Sequence, residues 1–107
     1  MTREQAVQSL VRLDQPLPLL KEALAQFPWD WEEPALATLG GPAVASILRR
    51  YERGELTAEQ VEAWANLVEV RDDIEFDASA TDAISYLANP LINGRLAEVA
   101  PKLLERL

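Results

Sequence analysis

The residues from Gly54 to Asp77, GELTAEQVEAWANLVEVRDDIEFD, restrict the fold of this chain more than any other stretch. Gly54 follows a charged helical segment and suits the position just past a helix end, where left-handed dihedrals carry no steric penalty for glycine. Thr57 then serves as an N-cap, Gln60 three residues later completes a capping box, and Leu56 stands where a hydrophobic staple belongs. Val61, Trp64, Ala65 and Val68 recur at i, i+3, i+4 and i+7, the repeat of one helix face, which should be buried. At about 100° per residue, Glu59, Glu62, Asn66 and Glu69 gather on the opposite side, and Asp73 joins them if the helix continues that far.

The chain on either side of this helix reads as more helix. Thr2 caps a first segment with Ala6, Val7, Leu10 and Val11 inward and Leu13 near its end; Asp14 to Pro18 interrupts it, because the residue before a proline avoids helical dihedrals. Pro18 opens LLKEALAQF, whose Leu19, Leu20, Ala23, Leu24 and Phe27 should face a core. FPWDWEEP follows, with Phe27, Trp29 and Trp31 read as a lid over the core or as an exposed aromatic anchor. Pro34 starts a short helical turn, PALATL, closed by Gly40-Gly41. Pro42 opens the next helix with Val44, Ile47, Leu48 and Tyr51 on one face, and Arg49 and Arg53 near its negative end. The tight turn from Gly54 to Leu56 predicts an antiparallel hairpin between this helix and the acidic one.

Beyond Arg71, Ile74 and Phe76 alternate with acids as a short extended piece, too isolated to predict a sheet. A further helix capped by Asp77 or Ser79 directs Ala83, Ile84 and Leu87 inward with Tyr86 alongside, and Asn89-Pro90 stops it. After a turn at Asn93-Gly94, Leu96, Val99, Ala100, Leu103, Leu104 and Leu107 mark a last amphipathic helix, with Pro101 either kinking it or sitting in its first turn. The fold class is all-α: one domain over residues 1–107, a bundle of about five or six helices with a central helical hairpin.

The charge is placed unevenly. Between Glu52 and Asp82 stand ten acids against Arg53 and Arg71, a surplus of eight that equals the formal net charge of −8. Such a segment repels nucleic acid phosphates and anionic lipid but steers a basic protein. No apolar run approaches the roughly 18 to 20 residues that span a bilayer, and the polar N-terminus MTREQAVQSL does not read as a secretory leader, so a cytoplasmic location is expected.

The chain has no histidine and no cysteine, which removes the usual neutral-pH base and the common nucleophile pairs. Glu62, Glu69, Asp72, Asp73, Glu75 and Asp77 are candidate oxygen ligands for Mg²⁺ or Ca²⁺, yet DDIEFDASATDA lacks the central glycine of a calcium loop. Gly40-Gly41-Pro42 leads into a helix N-terminus that can hold an anion, without the lysine and further glycines of a phosphate loop. No enzyme, cofactor or metal is therefore expected.

The residues LRRYERGELTAEQVEAWANLVEVRDDIEF, from Leu48 to Phe76, with FPWD at Phe27 and Leu-Ala-Asn-Pro at Leu87, resemble a family of small uncharacterised bacterial helical proteins. The arginine-tyrosine helix, Gly-Glu-Leu turn and acidic helix are also similar, over about thirty residues, to immunity proteins of the colicin D kind. That second resemblance implies a small acidic helical protein that masks a cationic toxin domain. The leading expectation is a protein-interaction module in which Glu59, Glu62, Asn66, Glu69, Asp72 and Asp73 contact a basic partner. The alternative is a structural or homodimeric helical protein whose acidic surface serves solubility, with a dimer expected only if the Trp29 and Trp31 loop is exposed.

Overall fold

The computed structural model describes residues 2–26, 37–71, 73–89 and 95–107. Six helices and one small sheet make up these residues: α1 Arg3–Arg12, α2 Leu17–Ala25, β1 Ala37–Leu39, α3 Gly41–Glu52, α4 Ala58–Glu69, β2 Ile74–Phe76, α5 Ala78–Ala88 and α6 Leu96–Arg106. The expectations placed on Phe27, Trp29, Trp31, Pro34, Asp72, Pro90, Asn93 and Gly94 lie outside the described residues. None of the described helices is long and apolar enough to cross a membrane.

Two capping boxes set the starts of α1 and α4. Thr2 Oγ1 accepts from the Gln5 backbone N–H at 3.1 Å while Gln5 Oε1 accepts from the Thr2 N–H at 2.9 Å; Thr57 and Gln60 repeat the exchange at 3.1 and 2.8 Å. Between α3 and α4, Gly54 has φ 81°, its N–H donates to Tyr51 O, and the Glu55 N–H donates to Arg50 O. This double bond pattern is the Schellman closure, satisfying carbonyls that the end of α3 leaves without partners.

The core forms where the apolar stripes converge. Val7 and Leu10 of α1, Leu20 of α2, Val44, Ile47 and Leu48 of α3, and Val61, Trp64 and Val68 of α4 are all buried. Helix α4 touches α3 across their turn and packs most extensively against α5. Its Trp64 is the largest fully buried side chain among the described residues, and the indole Nε1–H donates to Leu10 O at 2.7 Å. Arg50 adds a second restraint on the same end of α1, donating to Arg12 O at 3.2 Å and Leu13 O at 2.9 Å. A guanidinium there faces the negative end of the α1 dipole as well as its orphan carbonyls.

Two expectations change, and one open alternative closes. The Ala37–Leu39 part of PALATL is a strand rather than a helical turn, and it pairs in parallel with Ile74–Phe76 in the register Ala37 with Ile74 and Leu39 with Phe76. Leu39 enters the core as β1 meets α1, so tertiary packing overrides the local helical preference. Leu19 is half exposed, and α2 buries Leu20 and Leu24 instead. Pro101 lies inside α6 rather than in its first turn, in a helix whose Val99, Ala100 and Leu103 remain buried.

Candidate interaction face

The capping box of α4 fixes where its helical repeat begins, and the burial of Val61, Trp64, Ala65 and Val68 fixes how the helix is rotated. With that face inward, Glu59, Glu62, Asn66 and Glu69 are all exposed. Successive members stand three or four residues apart, so they form one row along the helix. Glu59, Glu62 and Glu69 make no salt bridge among the described residues, whose four ion pairs involve Asp14, Glu55 and Asp73 as the acids.

Within the row, the Asn66 Nδ2–H donates to Glu62 O one turn back at 3.0 Å. The amide is thus anchored to its own helix, not to the loop after it, and its oxygen stays available as an acceptor. Neither end of the row is electrostatically equivalent: Glu59 lies in the first turn, where the helix dipole favours an acid, whereas Glu69 closes a last turn with no basic residue.

Asp73 is withdrawn from this face. Its side chain is only 4% exposed, with Arg71 Nη2 and Arg3 Nη2 at 2.7 and 3.2 Å from Oδ2 and Arg71 Nε at 2.8 Å from Oδ1. Burial opposes its ionisation, but the hydrogen bonds and charges of Arg71 and Arg3 together outweigh that effect and hold the carboxyl below its ordinary value. The helix ends at Glu69, so Asp73 turns toward the arginines at the entrance to β2 instead of continuing the outward row. Asp72 lies outside the described residues.

Asp77 also has an internal task. Its Oδ1 accepts from the Ala80 N–H at 2.7 Å, capping α5, and its Oδ2 accepts from the Gly41 N–H at 3.1 Å, at the first residue of α3. These backbone donors hold the Asp77 carboxyl below its usual value. The helix start at Gly40-Gly41-Pro42 is thus met by the chain's own carboxylate. Glycine permits the close approach, since a Cβ on Gly40 would stand 3.1 Å from Asp77 Oδ2. Among the described residues no three acids gather as a metal-ligand cluster.

Beside the acidic row runs a groove of about 310 Å³, reached by Tyr51 of α3, Val61 and Glu62 of α4, Tyr86 and Leu87 of α5, and Arg95 before α6. Sequence reasoning missed it, because its walls come from four elements that only the folded chain brings together. Tyr86 carried the one local signal: a large aromatic one position off a buried stripe, here 39% exposed with Arg106 Cζ 6.0 Å from its ring centre.

Comparison with family models, curated proteins and solved structures yields no match to this chain. The assignment of a role to the α4 face accordingly rests on its own geometry and charge.

Proposed function

We propose that this chain is a cytoplasmic protein-interaction module that binds a basic partner through the outward face of α4, acting as an immunity-type or antitoxin-like inhibitor acts, by occlusion rather than by chemistry. The observation that carries this reading is the row of Glu59, Glu62 and Glu69, exposed on a well-capped helix and not neutralised by an ion pair among the described residues. A stability-driven surface places bases near a helix C-terminus and avoids acids three apart, and α4 does neither. Complementary charge on a partner relieves that repulsion, accelerates encounter and fixes register. The Asn66 amide oxygen adds a neutral acceptor in the middle of the row.

The experiment is affinity capture from host lysate at low salt, run beside a Glu59→Lys/Glu62→Lys/Glu69→Lys variant. A basic protein that binds the native chain should be released by salt and bind the variant about 10- to 100-fold more weakly, from three exposed pairs of about 0.5 to 1 kcal/mol each. Equal capture by both forms would exclude the α4 face as the binding surface.

A further inference from the structure

The acidic row borders an apolar groove, and Glu62 belongs to both. Val61, Leu87 and Val99 form the groove's buried floor, while Tyr51 and Leu96 are half-buried and Tyr86 is exposed at its walls. Its volume of about 310 Å³ lies at the small end of the range of formed binding pockets. The charged groups on its edges are unlike: Glu62 on the α4 side, with Glu59 one turn earlier in the same row, and Arg95 on the side of α6.

We infer that this groove receives the apolar edge of a basic amphipathic helix from the partner, whose lysines or arginines run along α4 and meet Glu59 and Glu62. The inference rests on the proposed role of the acidic row and specifies how the partner is recognised. Charge selects the occupant. Cations are attracted along α4 and repelled by Arg95 across the groove, so a segment with bases on one edge and apolar residues on the next fits, whereas a uniformly cationic one does not. A second copy of the chain is disfavoured, because each copy has a net charge of −8 and would bring like charge to the same rim. An apolar anchor flanked by charge pairs is also the recurring way in which a helix docks into a groove.

The test uses two synthetic helical peptides of about 14 residues, roughly four turns, with identical lysines on one face. One carries leucines on the adjoining face; the other has serine in place of each leucine. Titration calorimetry at low salt should find the leucine peptide about tenfold or more tighter, the effect of burying one leucine-sized side chain. Ala97 is exposed and borders the groove, so Ala97→Trp fills the groove without displacing core and should remove that advantage. Glu59→Lys/Glu62→Lys should weaken both peptides. As a readout independent of any variant's stability, the leucine peptide alone should shift the NMR methyl signals of Val61, Leu87 and Val99.

Equal affinity of the two peptides, undisturbed methyl signals, or indifference to Ala97→Trp would overturn the groove inference while leaving the acidic-row reading standing, provided the double charge reversal still weakens binding. Failure of both peptides to bind at low salt, or binding unaffected by the charge reversal, would remove the acidic-row reading and the inference with it.

Discussion

Leu13 adopts φ 48° and ψ 47°, a left-handed conformation that glycine reaches freely and leucine reaches at roughly 1 to 2 kcal/mol. Its side chain explains why it is there: only 4% exposed, it joins the core, and fully burying such a group contributes about 1.5 to 3 kcal/mol. Its N–H and that of Asp14 close α1 on Leu10 O and Ser9 O, while its own carbonyl accepts from Arg50. Packing and capping together outweigh the local strain. Asp73 shows the same dominance of tertiary context, since desolvation alone would favour its neutral form. Because its folded-state value lies below the unfolded value of about 3.9, its stabilising contribution is complete at neutral pH and lost as pH falls through the folded-state value. Asp73→Asn should therefore lower stability by about 3 kcal/mol at pH 7, the smaller end of the range for a broken buried pair because both arginines reach some solvent. Below about pH 4 the gap between the variant and the native chain should begin to narrow, closing only as pH passes below the folded-state value, as measured by urea midpoints across pH. A constant gap across that range would show that Asp73 contributes packing and not ionised pairing.

Helix α4 was legible in the sequence because each of its determinants is local: the Thr57–Gln60 box, the Gly54 closure before it, and four apolar residues at one repeat. Its outward row follows from the same repeat as far as Glu69. The fate of Asp73 did not, since it depends on Arg3, seventy residues away, and on a helix end that no local breaker announces. The β1–β2 pair was equally hidden: three-residue parallel strands separated by α3 and α4 have no turn signature, and their pairing exists only once the helices have placed them together. Glu69 offers a test at the scale of the element. Glu69→Lys puts a cation on the last turn of α4, which should stabilise the helix by about 0.5 kcal/mol and raise the melting temperature by roughly 2 to 4 °C. The same change should weaken and slow association with a basic partner. Stability rising while binding falls, read by thermal melts and stopped-flow association, identifies an acid retained against the preference of its helix. Unchanged association would assign Glu69 to solvation alone.

Across the molecule, the large exposed apolar residues among the described ones are Leu19, Val70 and Tyr86, carried on α2, the end of α4 and α5. No described element carries two of them, so no described helix presents a stripe of large exposed apolar side chains to a second copy. Net charge acts in the same direction: two copies, each at −8, repel before contact, and salt weakens that repulsion over a screening length of about 10 Å at 0.1 M. Light scattering behind size exclusion should therefore give the mass of one chain at low salt and again at high salt. A dimer that appears only on adding salt would mean that repulsion masks a self-interface; a dimer under both conditions would favour the homodimeric reading, in which the acidic surface serves solubility. A monomer throughout leaves the α4 row exposed to other proteins. The same ions that leave the monomer unchanged should then dissociate its basic partner, so opposite responses to salt, none in self-association and a strong one in partner binding, locate the charge of this protein in recognition rather than in assembly.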